Sequence, residues 1–171
     1  IYAWEGRDGH FRALRPAKGA DAAVVSPDST VMATTDHDYA VRLWDFRGGA
    51  ERSTLLAHFL PVSSLAFSPS SKWLATAGGQ STIRLWDVRT GALRQTLLGH
   101  SDSIETLGFG VDDTHLVSAS ADGSARVWNL EDGQHLLRLG GHGREVLDAT
   151  YSSDGGYIAT VVSPLHPDQT G

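Results

Sequence analysis

A chain of 171 residues is long enough for one medium domain with a buried core, and 40% hydrophobic and 20% charged residues exclude a disordered tail. Its 14 Lys and Arg stand against 20 Asp and Glu, a net charge of -6, which disfavours generic binding to nucleic-acid phosphates. It has no cysteine, so disulfides and thiolate chemistry are excluded, and no run approaches the roughly 18 apolar residues of a membrane helix.

The predicted elements repeat. Residues 1–15 read as the end of one unit: Ile1-Tyr2-Ala3-Trp4-Glu5 aligns with Ile83-Arg84-Leu85-Trp86-Asp87, and Gly9 with Gly91 and Gly133. Residues 16–57 form the next unit, carrying Trp44-Asp45. Residues 58–99 follow with Trp86-Asp87, and residues 100–141 with Trp128-Asn129. Residues 142–171 start another. The three tryptophans are 42 and 42 residues apart, and His58, His100 and His142 keep the same interval. So do Val62, Ile104 and Val146, and Phe67, Phe109 and Tyr151. Thr34, Thr76, Ser118 and Thr160 carry the column through four copies. Such self-similarity marks a repeat architecture.

Within a unit the pattern is that of strands. In the copy from His100, the runs are Ile104–Phe109, Leu116–Ser120, Ala125–Trp128 and Leu136–Leu139, too short for amphipathic helices. Asp, Gly, Ser and Asn fill the connections, as turns require. Four antiparallel strands per unit are expected, named a to d from inside outward. One such sheet cannot bury both faces, but stacking it on the next copy does.

These columns resemble the WD-repeat family of β-propellers. The resemblance runs from Ile1 to about Asp168 and rests on Gly99-His100, Gly141-His142, the Trp-Asp pairs at 44–45 and 86–87, Val25-Ser26-Pro27, Phe67-Ser68-Pro69, Met32-Ala33-Thr34 and Leu74-Ala75-Thr76. Ala57-His58, Pro16, Gln80 and Asn129 depart from it. It implies an all-β propeller of four-stranded blades. About four repeat lengths are present, expected to be part of a larger ring of about seven blades. The other arrangement joins the two ends into one blade and closes a four-bladed ring.

His100, Ser118 and Asp122 offer an imidazole, a hydroxyl and a carboxylate, the ingredients of a nucleophilic triad. The resemblance implies instead that they join Trp128 in a structural network, and the repetition agrees. His142, Thr160 and Asp168 make a second set, His58, Thr76 and Trp86 a third, and Thr34, Asp38 and Trp44 belong to a fourth. Asp38 and Asp122 share a column with Gln80 between them. Active sites are seldom repeated every 42 residues, so no catalytic residue is expected. His10, His37, His115, His135 and His166 show no metal-ligand spacing. Gly140-Gly141-His142-Gly143 lacks the lysine and helix of a phosphate loop. Neither a metal nor a cofactor is expected.

The resemblance implies that partners bind at the rim where the loops before strand a meet the b–c turns. The candidates are His37, Tyr39, Phe59, Leu60, Asp102, Arg144, Glu145, Leu165 and His166, with packing of Phe59 and Leu60 on a neighbouring blade as the competing reading. The expected function is a non-catalytic scaffold that holds other proteins or peptides in a multiprotein assembly, inside the cell in cytoplasm or nucleus. A regulatory propeller attached to an enzyme elsewhere, a kinase or nucleotide-switch ATPase, is the second reading. No membrane partner is expected.

Overall fold

The computed structural model describes residues 2–4, 11–13, 20–56 and 58–164, with side chains described from residue 21 onward. All of the regular structure there is β. Among the described residues no helix is long and apolar enough to cross a membrane.

β1 (Tyr2–Trp4) and β2 (Phe11–Ala13) form a two-stranded antiparallel sheet. β3 (Ala20–Val25), β4 (Val31–Asp36), β5 (Val41–Asp45) and β6 (Glu51–Leu55) make the first complete blade, paired in chain order. β7 (Val62–Phe67), β8 (Trp73–Gly78), β9 (Thr82–Asp87) and β10 (Leu93–Leu98) make the second. The third consists of β11 (Ile104–Phe109), β12 (His115–Ser120), β13 (Ala125–Asn129) and β14 (His135–Leu139). β15 (Val146–Tyr151) and β16 (Ile158–Val162) form a final pair. This pair and β1–β2 are separate sheets, so the described residues do not join the two ends into one blade.

The turns repeat as strictly as the strands. The c–d turn places Gly49, Gly91 and Gly133 at φ of 73°, 70° and 76°, a left-handed backbone that glycine adopts without steric cost. Register shifts recur at the start of each first strand, at Ala20/Ala23, Val62/Ser64, Ile104/Thr106 and Val146/Asp148. A bulge increases the local twist, and here every blade acquires the same extra bend.

The core lies between blades. Val31, Ala33, Val41, Leu43 and Leu55 of the first meet Leu74, Trp86 and Val88 of the second. The second gives Leu85 and Leu97 to Leu116, Trp128 and Leu130 of the third. The third meets Val146 and Ala149 through Val117, Ala119 and Val127. Alternation with period two sends one face of each strand each way, so one sheet feeds two cores. Polar straps cross the same seams. The Leu107 N–H donates to Ser64 Oγ at 3.0 Å, and the Ala149 N–H to Thr106 Oγ1 at 3.2 Å.

Candidate functional site

The third blade holds a complete polar chain. The Trp128 indole N–H donates to Ser118 Oγ at 2.9 Å, and Ser118 Oγ lies 2.7 Å from His100 Nε2. His100 Nδ1 lies 2.7 Å from Asp122 Oδ2, which also accepts the Ser101 N–H at 3.2 Å. An indole can only donate, so the Ser118 proton goes to His100 Nε2 and Nδ1–H faces the carboxylate. Burial lowers the pKa of His100, against the pull of Asp122. Burial opposes ionisation of Asp122, but hydrogen bonds from Ser124, His100 and Ser101 outweigh it and hold its carboxyl well below the usual range. The order of contacts is that of a catalytic triad. Yet Ser118 is 0% exposed and its oxygen is occupied by the indole, so a substrate cannot reach it.

The second blade solves the same problem with other residues. Trp86 Nε1 donates to Thr76 Oγ1 at 3.0 Å, and His58 Nε2 lies 2.9 Å from the same oxygen. Gln80 replaces the aspartate and accepts the Phe59 N–H at 3.2 Å. His58 Nδ1 faces Arg84 Nη1 at 3.0 Å. A guanidinium has no acceptor, so Nδ1 must accept and the ring proton of neutral His58 sits on Nε2. The tautomer is the reverse of that in His100. Burial, and then the Arg84 charge, lower the His58 pKa to about 4.

In the first blade Trp44 Nε1 donates to Thr34 Oγ1 at 2.9 Å. Asp38 joins neither group. Arg42 reaches its Oδ2 at 2.6 Å and Asp36 at 2.9 Å. The last set is partial: His142 Nε2 lies 3.1 Å from Thr160 Oγ1, and Asp168 falls outside the described residues.

The rim candidates divide into groups. Tyr39 and Phe59 come together, with Asp38, Ala40, Leu56, His58 and Arg84, around an open cleft of about 360 Å³ between the first two complete blades. Phe59 is 80% exposed and Leu56 88%, so neither is packed on a neighbouring blade. Leu60 lies over Gly79, its side chain 3.3 Å from where a Cβ there would stand. His37 turns aside to Asp21, 3.1 Å away. Asp102, Arg144 and Glu145 belong to later blades and do not reach the cleft. Asp102 Oδ1 accepts the Ser103 N–H at 2.7 Å, Arg144 Nη1 donates to Ser163 O at 3.0 Å, and the exposed Glu145 offers its own carbonyl to the Ser163 N–H at 3.0 Å. Leu165 and His166 lie outside the described residues. Leu56 and Arg84 were not singled out from sequence. The signal available for Arg84 is its column, Arg42, Arg84 and Arg126, at the repeat interval. Among the described residues no group of His, Cys, Asp and Glu could hold a metal.

The family model described as WD domain, G-beta repeat matches residues 17–45, 49–87 and 91–129, more than half of the chain. The chain belongs to the WD-repeat family. Two solved structures are similar to this WD-repeat chain. The RRP9 WD40 repeats are 26% identical over 81% of the chain, with a TM-score of 0.75. U3-55K is 25% identical over 81%, also with a TM-score of 0.75. The chain spans 44% and 45% of their lengths, under half in each case. No curated protein matches it in sequence.

Proposed function

We propose that this WD-repeat chain is a non-catalytic platform that holds partner proteins in an assembly, and that it does so at the cleft between its first two complete blades. The observation that carries this reading is the concentration of exposed apolar side chains at one seam, Tyr39 and Leu56 from one repeat and Phe59 and Leu60 from the next. Phe59 and Leu60 occupy columns that hold Ser101 and Asp102, then Gly143 and Arg144, in the next two repeats. Tyr39 occupies the column of Ser81 and Gly123, and it does so at φ 63°. A bulky residue held in the left-handed region costs about 1–2 kcal/mol, a strain that clusters at binding and active sites. Exposed aromatic and aliphatic groups around a concave surface suit the centre of an interface.

The test is affinity capture with the intact protein, comparing wild type with Phe59→Ala and Leu56→Ala by quantitative mass spectrometry. Both side chains are exposed, so the urea midpoint should not move while the recovered partners fall. Unchanged recovery would overturn the reading. We further propose that residues 1–15, 16–57, 58–99, 100–141 and 142–171 are successive blades or parts of blades in a ring of about seven, acting within the cell. Electron cryomicroscopy of the intact protein counts the blades directly.

A further inference from the structure

The third complete blade sets two arginines directly across from each other. Arg42, Arg84 and Arg126 share a column on the third strand of their blades, β5, β9 and β13. In the first two blades a threonine of the fourth strand stands opposite, Thr54 and Thr96, whereas in the third it is Arg138. Residues paired across antiparallel strands project from the same face, and like charges so placed destabilise a sheet. The acid of this blade's b–c turn does not offset them, because Asp122 is taken up by His100, Ser101 and Ser124. In the second blade the strand-c arginine faces His58 Nδ1, but here Asp122 occupies the same nitrogen of His100. Neither Arg126 nor Arg138 makes a hydrogen bond or ion pair with any described residue, and Arg126 Nε is buried without a partner. Arg126 lies over the Trp128 ring, 5.9 Å from its centroid, and its Nη1 fills the space that a side chain at Gly99 would need. Arg138 is exposed beside it. Burial first, and then both guanidinium charges, lower the His100 pKa against the pull of Asp122, so the two cations converge on one imidazole.

We propose that Arg126 and Arg138 together bind a phosphorylated side chain, phosphoserine or phosphothreonine, in a partner segment that lies along the outer strands of the third complete blade. A phosphate monoester carries a charge of about -1.5 to -2 at neutral pH, so one group offsets both arginines, whereas one carboxylate offsets one. Its three oxygens accept from two planar forks of N–H donors, and such charge-assisted bonds are roughly twice as strong as neutral ones. With a net charge of -6, the chain as a whole repels a membrane surface or a nucleic-acid backbone, which favours a single phosphate on a protein segment. The pair belongs to the seam between the second and third complete blades and shares no residue with the cleft, so this inference stands apart from the reading of the cleft.

The experiment selects peptide libraries built around a fixed phosphoserine or phosphothreonine, beside the same libraries without phosphate, on the intact protein. Enriched peptides are then measured by fluorescence anisotropy at fixed ionic strength. Enrichment of the phosphorylated libraries is expected, and putting Glu in place of the phosphorylated residue should weaken binding about tenfold or more. Arg138→Thr installs the residue type of the first two blades and removes one of two opposed like charges. It should leave the thermal midpoint unchanged or raised while affinity falls about tenfold or more. Arg126→Gln should weaken binding as well, but because Arg126 is half-buried the exposed Arg138 decides the matter. Equal enrichment of the libraries without phosphate, or phosphopeptides that bind Arg138→Thr as tightly as wild type, would overturn the proposal. Phosphopeptides that lose affinity with Phe59→Ala but not with Arg138→Thr would place them in the cleft and overturn it too. Retention on vesicles containing phosphatidylinositol phosphates, lost in Arg138→Thr and with no phosphopeptide bound, would assign the pair to a membrane and overturn recognition of a protein segment.

Discussion

A buried serine that accepts from an indole and donates to an imidazole has no spare capacity. Ser118→Ala leaves the Trp128 N–H and His100 Nε2 without partners in the interior. Each unsatisfied buried group costs about 1–3 kcal/mol, so a loss of about 2–4 kcal/mol is expected in urea unfolding. Ser118→Thr keeps the hydroxyl, as Thr76 and Thr34 do, and should recover most of that loss. The histidines add a pH dependence. His58 has a folded pKa of about 4 against an ordinary 6.5. As pH falls, the unfolded chain therefore takes up the proton first. Stability is intact above pH 6.5 and declines between 6.5 and 4, by at most about 3 kcal/mol for this residue. Burial lowers His100 in the same sense. Asp122, held low, adds its loss only below the ordinary carboxylate value of 3.8. Urea midpoints measured across this range should flatten in His58→Gln; an unaltered slope would show that His58 is not the group responsible. At Tyr39 the backbone rather than the charge is under tension. Tyr39→Gly should raise stability by about 1 kcal/mol while weakening partner capture, and a loss of stability would contradict the strain.

At the scale of elements, the blade faces were legible in the sequence and the polar networks only partly so. Strand alternation and the 42-residue columns suffice to pair Leu43, Leu85 and Val127 as equivalent core positions, and all three are buried. Leu85→Ala should cost about 2–5 kcal/mol by urea unfolding. Leu137 sits two residues before the end of strand d, where Ser53 and Gln95 stand in the earlier blades, and it is exposed. Leu137→Ser should leave the urea midpoint within about 0.5 kcal/mol. Columns reveal which residue types recur, but not which hydrogen-bond partner each one chooses. Asp38 shares a column with Asp122 and takes Arg42 instead of a histidine, because Pro16 stands in this repeat where the other repeats have His. His58 shares a column with His100 and carries its proton on the other nitrogen, because its Nδ1 faces the Arg84 guanidinium instead of a carboxylate. Such choices depend on distances of a few ångströms between segments far apart in sequence. The cleft was half legible: Phe59 and Tyr39 stand out as apolar residues in loops, whereas Leu56 reads as the end of a strand.

For the molecule as a whole, stacking determines where it is robust. The straps across the seams are not all alike. Ser64 and Thr106 each accept an N–H from the following sheet, whereas their counterpart in the first complete blade is Ala22, which has no hydroxyl. No side chain in that column can take the Leu65 amide. In a hydrogen-exchange time course the Leu65 amide should therefore lose protection before those of Leu107 and Ala149. The seam that holds the cleft would then be the one that breathes, letting an arriving partner pry two blades slightly apart and then clasp them together.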